Sequence, residues 1–198
     1  MAKHISDSVT GPNPTMEAVP IESSGAAKYE ISAKVEEFVT RLQEQFSDIE
    51  WEIVRFRNEV TLYVPRERIV EVCTFCKSEL GFNYLSDLTG NDWPNRDPRF
   101  EVIYHLHSME HLLRLRFKVR VPEDECTCPT VTGIWSTSNW HEREVFDMFG
   151  IVFEGHPDLR RILLPEEWEG HPLRQDYEIG WEEPEFTVRK INRDYATG

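Results

Sequence analysis

The stretch LRLRFKVRV, residues 113–121, alternates apolar and basic side chains without interruption. Alternation has the period of a β-strand, whose successive side chains point to opposite faces of a sheet. The preceding segment FEVIYHLH, residues 100–107, is also β-prone and is separated from it by a short turn beginning at residues 108–110. The two segments therefore predict an antiparallel hairpin with one buried face and one solvated face.

A second hairpin is predicted earlier in the chain. The segments WEIVRF and EVTLYV are rich in β-branched and aromatic residues and are joined through Arg57 and Asn58. In the second segment, Val60, Leu62 and Val64 repeat with a period of two. Both hairpins need a covering layer for their apolar faces, so we expect helices between them.

Three amphipathic helices are predicted that can cover the apolar faces of the hairpins. The first has an apolar stripe at helical spacing, formed by Val35, Phe38, Val39, Leu42 and Phe46. The second begins after Pro65, ends before Gly81 and buries Cys73 and Cys76 on its apolar face. The third is capped by Asn139 or a neighbouring serine, with Glu142 closing a capping box, and ends at Gly150.

The order helix, hairpin, helix, hairpin, helix predicts an α/β domain of the α+β type over residues 29–150. It contains a mixed, largely antiparallel sheet built from hairpins and packed with amphipathic helices. Residues 1–28 mix Ser, Thr, Pro, Gly and Glu without apolar periodicity, which predicts a flexible lead. Residues 151–198 are punctuated by Pro and Gly but rich in Trp, Tyr and Leu, which predicts a long extended arm that lies against a partner.

Composition excludes several classes of function. The formal net charge of −14 disfavours nucleic acid as a ligand. No apolar run approaches the roughly 20 residues of a membrane helix, and the N-terminus does not resemble a secretory signal, so we expect membrane attachment only through a partner. In a reducing compartment the four cysteines are expected to be thiols.

Two groups of residues are candidates for a metal site. His105, His107 and His111 have a spacing that a free-standing metalloenzyme could use, but their place near a hairpin tip favours solvated side chains. The pairs Cys73-x-x-Cys76 and Cys126-x-Cys128 could hold zinc or an iron–sulfur cluster, yet the first pair falls on an apolar helix face. The sequence therefore predicts no catalytic, cofactor-binding or metal-binding residue in this chain.

The region from 140 to 177 instead has the composition of an interface, with arginines interleaved among carboxylates and aromatics. Glu142 precedes Val145, Phe146 and Phe149 by three, four and seven residues, so it shares an apolar helix face and needs a partner for its carboxylate. An internal Glu–Arg pair is favoured, with an arginine of a partner protein or a proton-relay role as alternatives. The predicted partner-interface residues are Glu142, Arg143, Glu144, Asp147, His156, Arg160, Arg161, Trp168, His171, Arg174, Asp176 and Tyr177.

The run HEREVFDMFGIVFEGHPDLRRILLPEEWEGHPLRQDY, residues 141–177, closely resembles the C-type subunit of NADH-quinone oxidoreductase, the thirty-kilodalton subunit family of respiratory complex I. The resemblance extends over residues 30–181. It departs from the family at Gln175, where members commonly carry lysine, and this places one salt bridge in doubt.

The resemblance implies a subunit of the peripheral arm without a cofactor of its own, while FMN and the iron–sulfur clusters belong to partner subunits. The implied partners are the quinone-site subunit, of D type, and neighbouring iron–sulfur subunits of B and I types. It also implies a complex that passes electrons from NADH to quinone and translocates protons, on the cytoplasmic side of a bacterial membrane. Arg160, Arg161 and Arg174 are then expected to anchor ion pairs across the interface. The alternative assembly is a membrane-bound hydrogenase or a complex oxidising ferredoxin or deazaflavin.

Overall fold

A computed structural model describes residues 31–178, so the predicted lead, residues 179–198 and the arm's Trp181 lie outside the described part. The helices and strands, in chain order, are α1 Ala33–Gln45, β1 Glu52–Phe56, β2 Glu59–Tyr63, α2 Ile69–Ser78, β3 Tyr84–Asp92, β4 Phe100–Ser108, β5 Leu113–Val121, β6 Thr127–Pro129, α3 Ser138–Phe149 and β7 Val152–Glu154. A 3₁₀ turn, Arg66–Arg68, leads into α2.

Five strands form one sheet in the order β1-β2-β5-β4-β3. β1 with β2, β3 with β4 and β4 with β5 pair antiparallel, whereas β2 with β5 pair parallel. Both predicted hairpins are present, with the first turning at Arg57 and Asn58. The prediction of a mixed, largely antiparallel sheet with helices is confirmed.

The alternation in β5 places Leu115, Phe117 and Val119 in the core, where each is at most 2% exposed. α1, α2 and α3 supply apolar side chains to the same continuous core. α3 lies against β3 so closely that a Cβ on Gly90 would come within 2.7 Å of the Phe149 ring. Glycine at position 90 therefore allows the third helix to reach the sheet.

The basic residues of β5 lie on the other face of the sheet and pair with acids on neighbouring strands. Arg116 contacts Glu59 on β2, and Lys118 lies 2.9 Å from Glu101 on β4. Arg120 bonds Glu52 on β1 at 2.9 Å, although both side chains are nearly half exposed. An exposed pair of this kind contributes at most about 1 kcal/mol. The Lys118–Glu101 pair is more enclosed, because the Glu101 side chain is only 4% exposed. This face is therefore solvated towards β1, as the alternation predicts, but buried at Glu101 and Ile103.

β3 was not predicted. Its sequence YLSDLTGND combines poor strand formers with a register shift between Leu85 and Asp87, so its apolar residues do not alternate. The three-residue strands β6 and β7 are too short for a periodic signal, and they pair parallel with Cys128 opposite Phe153. β7 makes the first residues of the predicted arm part of a small second sheet.

The capping prediction for α3 was wrong. Thr137 is the N-cap residue and makes no side-chain cap hydrogen bond, while the Ser138 hydroxyl donates to the carbonyl of Trp135 at 2.8 Å. The Glu142 carboxylate binds residues outside the helix and so closes no capping box. The C-terminal prediction holds, because Gly150 has a φ of +76° and its N–H bonds the carbonyl of Phe146.

Candidate functional site

Residues 155–178 contain no helix or strand and return along α3 in a series of turns. We call α3 together with residues 155–178 the α3–arm unit. Hydrogen bonds from both components hold it together, and the polar groups that make them come largely from the predicted interface residues. These hydrogen bonds give residues 155–178 a defined shape without regular secondary structure.

Asp147 on α3 is the centre of the unit. Its Oδ2 accepts the backbone N–H groups of residues 162, 163 and 164 at 2.8–3.0 Å, and its Oδ1 lies 2.6 Å from the Arg161 guanidinium. Burial would raise the pKa of Asp147, but the three N–H groups and Arg161 together lower that pKa below its usual value. The carboxylate therefore stays ionised and orders the turn around it.

Two arginines extend these contacts. Arg143 donates from Nε to the carbonyl of Arg160 at 3.1 Å and from Nη2 to that of Arg161 at 2.9 Å. Its guanidinium lies over the Trp140 ring, 5.3 Å from the centroid. Arg161 also donates to the carbonyls of Trp168 and Gly170 at 2.9 and 3.0 Å, which closes the next turn of the arm.

The repeated Gly-His-Pro places one histidine near each end of α3. His156 accepts the N–H of Asp158 at Nδ1, so its Nε2 carries the proton that is donated to the carbonyl of Asn139, 3.2 Å away. His171 Nδ1 lies 2.9 Å from the carbonyl of Asp147 near the other end. Burial lowers the pKa of His171, which favours its neutral form.

Arg174 follows the second histidine and donates from Nε to the Phe149 carbonyl at 2.6 Å. A cation at this position also interacts favourably with the C-terminal end of the helix dipole. A Cβ at Gly150 would lie 2.6 Å from the His171 ring and 2.7 Å from Arg174. Glycine here thus satisfies both the left-handed cap and the close approach of the arm.

A second cluster, the Arg99 latch, ties the end of the described arm to the sheet. Arg99 makes a bidentate bond to Asp92 at 2.7 and 2.8 Å and also contacts Glu123 at 2.6 Å and Asp176 at 2.9 Å. The hydrogen bonds from Arg99 lower the pKa of Asp92. Gln175 donates its backbone N–H and its side-chain amide to Asp92, so the residue that departs from the family pattern is still anchored.

Glu142 lies away from the arm. The Thr130 hydroxyl and the backbone N–H of Val131, at 2.8 Å, donate to its fully buried carboxylate. The prediction of an internal Glu–Arg pair was therefore wrong, since the partners are a loop hydroxyl and an N–H group. Burial raises the pKa of Glu142 to about 7, against the lowering effect of these hydrogen bonds.

Because the pKa of Glu142 is raised, we expect the free energy of unfolding to depend on pH through this residue. In the unfolded chain a glutamate titrates near 4.5. The stabilisation that protonated Glu142 gives to the folded chain is therefore complete below that pH, and it is lost as pH rises through about 7. Glu142→Gln, which keeps the oxygen that accepts the Val131 N–H, removes this dependence. The pH 5 to 8 difference in the free energy of unfolding should differ between the two proteins by about 3 kcal/mol.

Urea denaturation at several pH values measures this difference. His105 and His171 titrate with lowered pKa values in both proteins, so their opposite contribution cancels in the comparison. Identical pH profiles for the wild type and the Gln variant would contradict an ionisable Glu142 of raised pKa.

The remaining predicted interface residues are less constrained. Glu144 is exposed and Tyr177 donates its hydroxyl to the carbonyl of Glu169 at 3.4 Å. Trp168 is half-buried, and its Nε1 has no hydrogen-bond partner among the described residues. Sequence reasoning missed Asp92, Arg99 and Thr130, because no periodic pattern links these residues to the segments they contact.

The candidate metal ligands do not converge. His105 and His107 line a cavity of about 340 Å³ on the solvated face of the sheet, whereas His111 contacts Lys34 and Phe38 on the helical side. Burial lowers the pKa of His105. Among residues 31–178 no group of three or more His, Cys, Asp or Glu side chains is placed to hold a metal ion.

Three of the four cysteines are apolar residues of the core, and Cys126 is partly buried against it. Cys73 and Cys76 are fully buried on α2, as their helical spacing predicts, and burial raises the pKa of both thiols. Cys128 lies 3.4 Å from the Tyr104 hydroxyl, and burial raises its pKa to about 12. Thiols with such pKa values are unreactive at neutral pH. No helix within the described residues is long and apolar enough to cross a membrane.

Comparison with known proteins gives consistent matches over this part of the chain. The family model described as respiratory-chain NADH dehydrogenase, 30 Kd subunit, matches residues 62–183. The C-type subunit of the NADH-quinone oxidoreductase from Geotalea uraniireducens is 49% identical over 141 residues, which cover 71% of this chain and 86% of that protein. Its counterpart from a Roseiflexus species is 52% identical over 143 residues, covering 71% and 82%.

Two solved structures share the fold. A trypsin-resistant fragment of Nqo5 superposes with a TM-score of 0.57 at 36% identity and covers 64% of this chain and 99% of the fragment. A chain of the membrane-bound sulfane sulfur reductase, an archaeal respiratory membrane complex, superposes with a TM-score of 0.65 at 29% identity and covers 74% and 86%.

Proposed function

The chain belongs to the 30-kDa subunit family of the respiratory-chain NADH dehydrogenase, and on that basis we propose that it is a cofactor-free structural subunit of the peripheral arm of complex I. The α3–arm unit is the observation that carries this proposal. A segment without helix or strand is ordered by buried hydrogen bonds to α3, yet keeps the large apolar side chains of Leu163 and Leu173 exposed. Such preorganised surfaces favour permanent docking.

The proposed partners are the quinone-site subunit of D type and the iron–sulfur subunits of B and I types. FMN and the iron–sulfur clusters are held by partner subunits, and the complex as a whole transfers electrons from NADH to quinone and translocates protons. This chain contributes rigid spacing, since Asp147, Arg161 and Arg174 are already committed to internal contacts. Its place is peripheral, on the cytoplasmic side of a bacterial membrane, with attachment through other subunits.

Several of the predicted interface residues make contacts within the chain. Arg161 and Arg174, expected to anchor ion pairs with a partner, instead shape the arm from within, and Arg160 pairs with Asp158 at 2.9 Å. The interface role of the twelve predicted residues stays a prediction. In this proposal Arg143, Asp147, Arg161, His171 and Arg174 act by positioning the docking surface.

A second candidate is the equivalent subunit of a related membrane complex with another electron donor or acceptor. The likeness to a chain of the sulfane sulfur reductase favours it, because the fold is shared with an assembly of that other activity. The higher identity to the NADH-quinone oxidoreductase relatives, 49% against 29%, favours the first candidate. The two candidates differ in the subunits that should accompany the chain.

A tagged copy of the full chain, recovered from its native membrane in mild detergent, tests the proposal. We expect flavin, iron–sulfur and quinone-site subunits to accompany it, with NADH oxidation by quinone acceptors in the recovered fraction. Co-purification of a hydrogenase or sulfur-reducing subunit without NADH oxidation would support the second candidate. Recovery of the chain alone, with bound metal and its own activity, would support the free-standing metalloenzyme and refute both.

A further inference from the structure

Three large apolar side chains of the α3–arm unit are exposed, one on α3 and two in the arm. Trp140 is 60% exposed on the first turns of α3. Leu163 is 61% exposed where its N–H bonds Asp147, and Leu173 is 54% exposed where its N–H bonds the Met148 carbonyl. Large apolar side chains held in place by backbone hydrogen bonds are typical anchors of a protein interface.

The cations around these anchors are already used within the chain. Arg143 and Arg174 donate to backbone carbonyls, Arg161 pairs with Asp147, and Arg160 pairs with Asp158. These are all the arginines from 140 to 178, and no lysine occurs in that range. An acidic partner would have to break internal contacts before it gained an ion pair from Arg143, Arg161 or Arg174. Arg160 is the exposed exception, and its charge is already paired with Asp158.

The carboxylates are placed differently. From residue 144 to residue 178 the chain has nine acidic residues against three arginines. Six of the acids are exposed and make no side-chain hydrogen bond or ion pair within residues 31–178; they are Glu144, Glu154, Glu166, Glu167, Glu169 and Glu178. Glu144 is one helical turn after Trp140, so the two side chains share a helix face. Glu166 and Glu167 follow Leu163 by three and four residues in the arm.

We propose that this surface docks a basic protein surface, in which lysines or arginines surround an apolar recess that receives Trp140 and Leu163. The inference rests on the proposed function and specifies the chemistry of the partner. A second copy of this chain is a poor occupant, because it presents the same acids and carries a net charge of −14. Complementary charge at the rim steers association and excludes wrong partners, while the apolar anchors supply most of the affinity.

Zero-length carbodiimide cross-linking of the intact complex tests the proposal directly, since the reagent joins a carboxylate to an amine in contact with it. We expect amide links from Glu144, Glu166 or Glu167 to lysines of another subunit. Links from these acids to a lysine of a second copy of this chain would overturn the inference. A guanidinium does not react in this way, so charge reversal decides the case in which arginines rather than lysines face the acids.

Charge reversal gives an independent measurement. Glu166→Lys combined with Glu167→Lys should lower the amount of complex recovered with the tagged chain by about tenfold, because like charges then face each other across the interface. Glu44→Lys combined with Glu79→Lys is the matched control, since both acids are exposed and lie on α1 and just after α2. The control should assemble as the wild type does.

The outcomes separate this inference from the proposed function. If the wild-type chain recovers no subunits of an NADH-quinone oxidoreductase, the proposed function fails. If the wild type recovers the complex and the two reversed proteins assemble equally well, the proposed function stands and the basic partner surface is refuted.

Discussion

Replacing Asp147 by Asn should lower the free energy of unfolding by about 3 kcal/mol and detach residues 160–174 from α3. The carboxylate is fully buried and accepts three backbone N–H groups in addition to its contact with Arg161, whose side chain is only 15% exposed. Without the negative charge, the largely buried guanidinium of Arg161 has no counter-ion. Urea denaturation measures the stability, and trypsin cleavage after residues 160, 161 and 174 measures the detachment.

The matched control is Asp158→Asn. Asp158 also pairs with an arginine of the arm, Arg160, but both side chains are about 60% exposed. Pairs of this kind contribute at most about 1 kcal/mol, so the control should unfold and resist trypsin nearly as the wild type does. Equal behaviour of the two variants would show that Asp147 does not organise the arm.

The lowered pKa of Asp147 also has a sign that acid titration can check. An unfolded aspartate titrates near 3.8, so the stabilisation from Asp147 is fully present above that pH and is lost as pH falls through its lower folded pKa. In the Asn variant this acid-dependent loss should be absent. The wild type should therefore release its arm at a lower pH than that at which ordinary carboxylates become protonated.

Arg99→Ala should have an effect at least as large, about 3–5 kcal/mol. The Arg99 and Asp92 side chains are 7% and 2% exposed, so removal of the guanidinium leaves a buried carboxylate without its bidentate partner. It also removes the counter-ion of Asp176 in the arm and of Glu123. The measurement is the urea midpoint, together with trypsin cleavage after Arg174.

A surface arginine provides the comparison. Arg120→Ala removes an ion pair with Glu52 in which both side chains are nearly half exposed, and it should cost at most about 1 kcal/mol. Replacing Arg99 and Asp92 together by leucine should recover part of the stability lost in Arg99→Ala, because no buried charge is then left unpaired. No recovery in the double variant would mean that the Arg99 latch acts through its other partners.

The elements that sequence analysis predicted are those with a strong period. β5 alternates without a break, and α1 repeats its apolar residues at helical spacing, so burial of one face follows from the order of residues alone. β3 was missed because a register shift after Leu85 breaks its alternation, and its pairing with β4 compensates for poor local propensity. The capping box failed because Glu142 found better donors, Thr130 and Val131, in a loop outside the helix.

Sequence analysis also found most residues of the α3–arm unit but did not find the contacts that they make within the chain. Arginines among carboxylates and aromatics indicated an interface with a partner protein. The same composition also suits the contact between two segments of one chain, here α3 and the arm. Only the folded arrangement shows that Arg161 meets Asp147 and that Arg174 meets the end of α3. It also brings Asp176 in the arm to Asp92 and Arg99, which lie at the two ends of the loop between β3 and β4, and no spacing rule connects the arm to this loop.

The amino-acid sequence by itself determined the fold class, the core faces of the helices and strands, the burial of Cys73 and Cys76, and the membership of the family. These depend on periodicity and on a long matching motif, which are local properties of the chain. The tertiary structure alone decided which charges are satisfied within the chain and which are left for a partner. A charge pair depends on distances of a few ångströms between segments far apart in sequence, and only folding sets those distances.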